Sequence, residues 1–162
     1  MISYINLSNE IDPKFKLDPH KSISVVRLLL HKGSFDKAMD LLHSLGRYDT
    51  VPNYIYRRVR DLLLDAYRIL SFEQFQELVK KLFENNYVDP SSIVLSLLVR
   101  KSYQENGPLP AFETIKSLFA QYNNLVGVFP IIRKLLRDDC TEELKQVSQG
   151  CTERPMSSLF PF

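Results

Sequence analysis

Three stretches of the chain open with Phe and continue through one apolar spacing: Phe35-Ala38-Leu42-Leu45, Phe72-Phe75-Val79-Leu82 and Phe112-Ile115-Phe119-Tyr122. The pattern i, i+3, i+7, i+10 keeps a single stripe of a 3.6-residue helix turned toward a neighbour. The starts lie 37 and 40 residues apart, from Phe35 to Phe72 and from Phe72 to Phe112. Recurrence at that length predicts stacked helix pairs, each burying its apolar face only against the next. Stacks of this kind usually bind extended partners and seldom do chemistry.

At 162 residues the chain has the length of one domain with a continuous core. Five Gly stand against nine Pro, with the Pro gathered in connections and at the C-terminus, which suits helices with firm stops. The net charge of +2 and pI near 8.5 are milder than the pI above about 9 of a dedicated nucleic-acid domain. Only a local basic patch would therefore argue for RNA. Cys140 and Cys151 stand eleven residues apart, outside any C-x-x-C pair, and read as free thiols. No apolar run approaches the roughly 20 residues of a membrane span. Met1 to Lys16 carries Glu10 and Asp12, lacks a signal-peptide core and is poor in Arg, unlike a secretory or organelle leader. A leader missing from this chain, or a start inside a longer repeat array, stays open.

The expected fold is all-α: a right-handed α-solenoid of about three helix-turn-helix repeats plus a C-terminal helix. An extended segment over residues 1–19 precedes a helical-repeat domain over 20–149, and an irregular tail covers 150–162. Helices are predicted over 21–32, 35–45, 54–70, 72–85, 92–104, 111–122 and 128–147. Ser34 and Ser71 are expected to cap the second helices by accepting a backbone N–H. Gly46 is expected to end its helix in the left-handed conformation, and Asn123-Asn124 to end another. Glu105 to Pro110 reads as a longer connection inside the third pair. Leu125 to Pro130 and Leu159 to Phe162 are apolar segments that would cap the stack or dock on a partner.

The run Val25-Val26-Arg27-Leu28-Leu29-Leu30-His31-Lys32-Gly33-Ser34-Phe35-Asp36-Lys37-Ala38-Met39-Asp40-Leu41-Leu42, closed by Pro52-Asn53, resembles a pentatricopeptide repeat. That family consists of helical hairpins from organellar RNA-binding proteins. The second unit is similar in length and in its end at Asp89-Pro90, with Phe75 in the small-residue place that Ala38 fills. The third carries the insertion from Asn106 to Pro110. The resemblance covers about 22–125 and is nearest to the loose animal and fungal mitochondrial type, including the leucine-rich members. Tetratricopeptide repeats share the same apolar skeleton. The resemblance implies a mitochondrial location, otherwise a cytoplasmic one, and single-stranded RNA or a protein as partner. The family's base-reading positions would fall on Ile23 with Asn53 and on Arg60 with Pro90. Ile23 cannot hydrogen-bond a base edge and Pro90 has no side-chain donor or acceptor, so one base per repeat is not expected.

The sharpest local signal is basic. Arg57, Arg58 and Arg60 open the second unit's first helix, Arg27 lies in the equivalent helix before it, and Arg100-Lys101 in the one after. With Asn53 they form the candidate RNA-binding set, a stripe that would follow a phosphate backbone if first helices line a concave face. Tyr54, Tyr56 and Tyr103 would supply stacking. The plainer account is that these arginines solvate a helix face or pair with Asp61, Asp65 and Glu73. Arg133, Lys134 and Arg137, followed by Asp138, Asp139, Glu142 and Glu143, read as a solvated amphipathic helix. His20, His31 and His43 lack metal spacing. No phosphate loop, G-x-S-x-G or H-E-x-x-H is present, so neither an enzyme nor a cofactor is expected. The expected function is single-stranded RNA binding in organellar RNA metabolism or translation. The alternative is a protein-interaction scaffold, a subunit of a larger assembly such as a mitochondrial ribosome or translation complex.

Overall fold

The computed structural model of the chain describes residues 18–47, 53–124, 126–137 and positions 141, 142 and 145; for Pro19, His20, Asn53, Tyr54 and residues 128–130 it describes the backbone alone. Among the described residues there are seven helices and no strand: α1 Pro19–His31, α2 Phe35–Ser44, α3 Asn53–Ile69, α4 Phe72–Glu84, α5 Ser92–Asn106, α6 Pro108–Tyr122 and α7 Val128–Arg137. The chain divides into two compact units, Met1–Asp89 and Pro90–Phe162, so the break falls at the Asp-Pro turn within the predicted repeat domain. The segments before Asp18 and from Gln149 onward, including Cys151 and the apolar C-terminus, lie outside the described residues, as do Leu125 and Cys140.

In the first unit α1 packs on both α2 and α3, α2 packs on α4, and α3 meets α4. First helix thus touches first helix, and second touches second. The predicted stripe faces inward: Ala38, Leu42, Phe75, Val79 and Leu82 are buried, against Ile23, Val26, Ile55, Val59, Leu62 and Ala66 of the first helices. Each such Leu, Val or Ile contributes about 1.5–3 kcal/mol relative to its exposed state. Phe75 takes the place of a small residue by setting its ring edge-on to Tyr67, with centroids 5.9 Å apart and planes at 81°.

Helix ends follow local chemistry. At the end of α1 the Gly33 amide donates to the Leu30 carbonyl and the Ser34 amide to Leu29, both at 2.9 Å, which satisfies two of the helix's last carbonyls. The end of α4 repeats this with Asn86 in the left-handed position and Tyr87 donating to Leu82 at 2.9 Å. Tyr87 and Leu82 are both fully buried, the apolar contact such an ending favours.

In the second unit α5 packs on α6 and α6 on α7, around Leu95, Leu98, Phe112, Ile115, Ile131 and Leu135. The predicted connection from Glu105 to Pro110 is corrected to a single residue, Gly107, because α5 continues to Asn106 and α6 begins at Pro108. Pro108 and Pro110 are tolerated there because first-turn amides have no intrahelical acceptor to lose. Asn123 ends α6 at φ 51°, as expected from its tolerance of that conformation. Of the predicted last helix, Val128–Arg137 is described as one element. Val126, from the apolar Leu125 to Pro130 segment, is buried.

Candidate binding groove

Arg27 and His31 stand four residues apart on α1, so one face of the helix carries both. Asp65 on α3 meets them there. The Arg27 Nε–H donates to Asp65 Oδ2 at 2.5 Å, and the His31 Nε2–H donates to the same oxygen at 2.8 Å. The carboxylate is mostly covered, with 16% of its side chain exposed, against 38% for Arg27 and 49% for His31. The hydrogen bond from His31 holds the Asp65 carboxyl below its ordinary value against the opposing effect of partial burial, and the Arg27 hydrogen bond and charge add to it.

Beside this cluster runs a groove of about 300 Å³, lined by Ile23, Ser24, Arg27, Leu28 and His31 of α1 and Arg58 of α3. The floor is apolar, since Ile23 is 1% exposed, and Leu28 stands at the rim 43% exposed. Ser24 lies seven residues before His31, on the order of 10 Å along the helix, too far for the His31–Asp65 pair to activate its hydroxyl. Among the described residues, no group of three or more His, Cys, Asp or Glu is placed to hold a metal ion.

The predicted basic residues separate. Arg27 and Arg58 come together in the groove. Arg57 and Arg60 are exposed elsewhere on α3, with Arg60 Nη2 at 3.7 Å from Asp61. Asn53 is the first residue of α3, and its side chain, like that of Tyr54, lies outside the described residues. Arg100 is exposed on α5, in the second unit.

Lys101 corrects the predicted stripe. The residue is 4% exposed, and its Nζ sits 2.7 Å from Glu105 Oε1 one turn on. The reason is that α5 buries Val94, Leu95, Leu98, Val99 and Ser102 around much of its circumference, taking the lysine stem with them. The predicted stacking set also thins. Lys134 Nζ covers a face of the Tyr103 ring at 4.4 Å from its centroid. Tyr56 remains 41% exposed.

The sequence pattern marks Asp65 only among carboxylates available to surface arginines, and His31 only among histidines without metal spacing. The usable signal was registration. Asp65 follows Arg27 by 38 residues, close to the repeat spacing, so equivalent first helices bring them to one level. The chain matches no family model, no curated protein and no solved structure.

Proposed function

We propose that this chain is a non-catalytic, pentatricopeptide-like helical-hairpin module that holds a segment of a partner protein. The observation that carries this reading is the groove between α1 and α3, where apolar Ile23 and Leu28 lie beside Arg27, His31 and Arg58. First-on-first and second-on-second helix packing in the first unit supports the solenoid arrangement behind it. Work in a mitochondrial assembly rests on the family resemblance.

Single-stranded RNA is the second reading, favoured by the exposed Arg57 and Arg60 on α3. It would be held by phosphate contacts without base readout. The two readings separate by photo-crosslinking in extract, with a benzophenone side chain placed at Leu28 or at Arg60. Protein adducts from position 28 support the module reading. Nuclease-sensitive adducts from position 60, with none from 28, shift the function to RNA. No adduct from either position overturns both.

A further inference from the structure

Resting on the module reading, we infer that the outward face of α1 and α3 holds an amphipathic helix of a partner protein, one whose apolar stripe carries carboxylates along both edges. The face is built from one motif used twice. Lys21, Leu28 and Lys32 follow the spacing i, i+7, i+11, and so do Arg57, Leu64 and Arg68. That spacing returns to the same side of a helix after two and three turns. Lys32 keeps to it although α1 ends at His31, because its amide still donates to the Leu28 carbonyl at 3.1 Å. Each residue of the second set comes 36 positions after its counterpart in the first. All six side chains are exposed.

The Asp65 cluster fixes how the two sets line up. Asp65 bonds both Arg27 and His31, so it stands level with Leu29 between them, again 36 residues earlier. Residues at that separation therefore sit side by side where α1 packs on α3. Lys21 and Arg57 make one row of cations, Lys32 and Arg68 a second, and Leu28 with Leu64 the strip between. The two rows are about 16 Å apart along the helices.

Relief and charge choose the occupant. Leu28 and Leu64 are 43% and 42% exposed, so each offers apolar surface to be covered. Lysine and arginine side chains reach further than leucine, which makes the face a trough with an aliphatic floor between charged walls. A helix about 10–12 Å across with its side chains fits between such walls, lying across α1 and α3. Its apolar stripe meets the leucines, and carboxylates bordering the stripe reach a row on either side, as charges border an apolar seam between helices. The four cations are available for this. Among the described residues none of them forms an ion pair. The nearby carboxylates are met by others, Asp61 by Arg60 at 3.7 Å and Asp65 by Arg27 and His31. Arg58, which has an interaction of its own, stands outside the motif. A flat bilayer would rest on the walls, and a phosphate chain would follow one row; both leave the leucines uncovered.

The test pans the full chain against a displayed library of amphipathic helices with a fixed leucine stripe and every other position random. Enriched helices are labelled and titrated against wild type and double variants. Lys21→Glu/Arg57→Glu reverses one row near helix starts, where carboxylates are tolerated. Lys32→Gln/Arg68→Gln neutralises the other row, and Leu28→Ser/Leu64→Ser removes the floor. Lys37→Glu/Lys80→Glu makes the first charge change at exposed positions of α2 and α4. The expected result is Asp or Glu enriched on both edges of the stripe. Affinity should fall about tenfold or more in the first three variants and stay within about twofold in the fourth. Every substituted side chain is exposed, so circular dichroism and urea midpoints should stay close to wild type. Enriched helices without carboxylates on both edges overturn the inference and leave the module reading standing. Equal losses in Lys37→Glu/Lys80→Glu and Lys21→Glu/Arg57→Glu do the same. The absence of any enriched helix also overturns it. A protein adduct from position 28 then keeps the module reading. Single-stranded RNA or phosphatidylserine vesicles bound by wild type and released by Lys21→Glu/Arg57→Glu replace it.

Discussion

The Asn85 side-chain amide donates from Nδ2 to the Leu42 carbonyl at 2.8 Å, joining the C-terminal turn of α4 to that of α2. Leu42 lies among the last four residues of α2, whose carbonyls have no intrahelical donor. The bond is buried: Asn85 is 6% exposed and Leu42 is fully covered. Replacing Asn85 by Ala leaves that carbonyl dry and unpaired, at a cost of about 1–3 kcal/mol. Asn85→Asp should cost at least as much, because a carboxylate has no donor for a carbonyl. Urea unfolding of the three proteins checks the order wild type, Asn85→Ala, Asn85→Asp, with unchanged slope.

Ser71 and Ser34 are equivalent in the repeat but unequal in effect. Ser71, at ψ 168°, forms a capping box with Gln74: its Oγ accepts from the Gln74 amide, and the Gln74 side chain accepts from the Ser71 amide. Ser34 sits before α2 at ψ 64° and makes no side-chain cap bond. Its amide is already committed to ending α1. Ser71→Ala should therefore lower stability by about 0.5–1 kcal/mol. Ser34→Ala should shift the urea midpoint by much less. Equal losses would show that the capping geometry of Ser71 contributes nothing.

Gly127 holds the entry to α7 against α5. Its φ is +77°, and a Cβ there would lie 2.6 Å from Val99 Cγ1. Gly127→Ala thus combines left-handed backbone strain with overlap on a buried, branched side chain, together about 2–4 kcal/mol. Gly46→Ala is the control, with φ +69° but nothing within 4 Å of the added carbon, and should cost only about 1–2 kcal/mol. Thermal denaturation of the two variants measures the difference. The double variant Gly127→Ala/Val99→Ala should recover less than it loses, because Val99 is itself 2% exposed core.

These contrasts mark where sequence reading succeeds. The stripes through Ala38 and Phe75 were legible because burial imposes a period on every turn of a helix. The ends at Gly46 and Asn123 were legible because few residues adopt positive φ without strain. Gly107-Pro108-Leu109-Pro110 misled because the same residues that break a helix interior also open a helix. Ser34 looked like Ser71 because a cap depends on ψ, which the preceding turn at Gly33 determines. Lys101 looked exposed because lysine usually is; its stem is carried inward by the residues buried around much of the circumference of α5. The Arg27–Asp65 pair joins residues 38 apart, and only the repeat register hints at it.

The Asp65 cluster makes stability depend on acid. Asp65 is the shared acceptor of Arg27 and His31, and its carboxyl titrates below the ordinary value of 3.8 in the folded chain. The folded protein therefore keeps this group ionised where the unfolded chain has already taken up a proton. Its contribution is complete above the ordinary value and is lost as pH falls through the lowered folded value. Because Arg27 and His31 are each more than a third exposed, solvent screening limits that contribution to about 1 kcal/mol or less. Asp65→Asn keeps the size and one acceptor oxygen but removes the charge. Wild type should exceed Asp65→Asn in urea midpoint at about pH 5, where the carboxylate is ionised in both the folded and the unfolded chain. The margin should narrow below about pH 4 and close in stronger acid, with salt reducing it throughout. A margin that persisted unchanged into strong acid would mean that the carboxylate charge does not join α1 to α3. Packing around Ile23, Val26 and Ile55 would then hold the two first helices together.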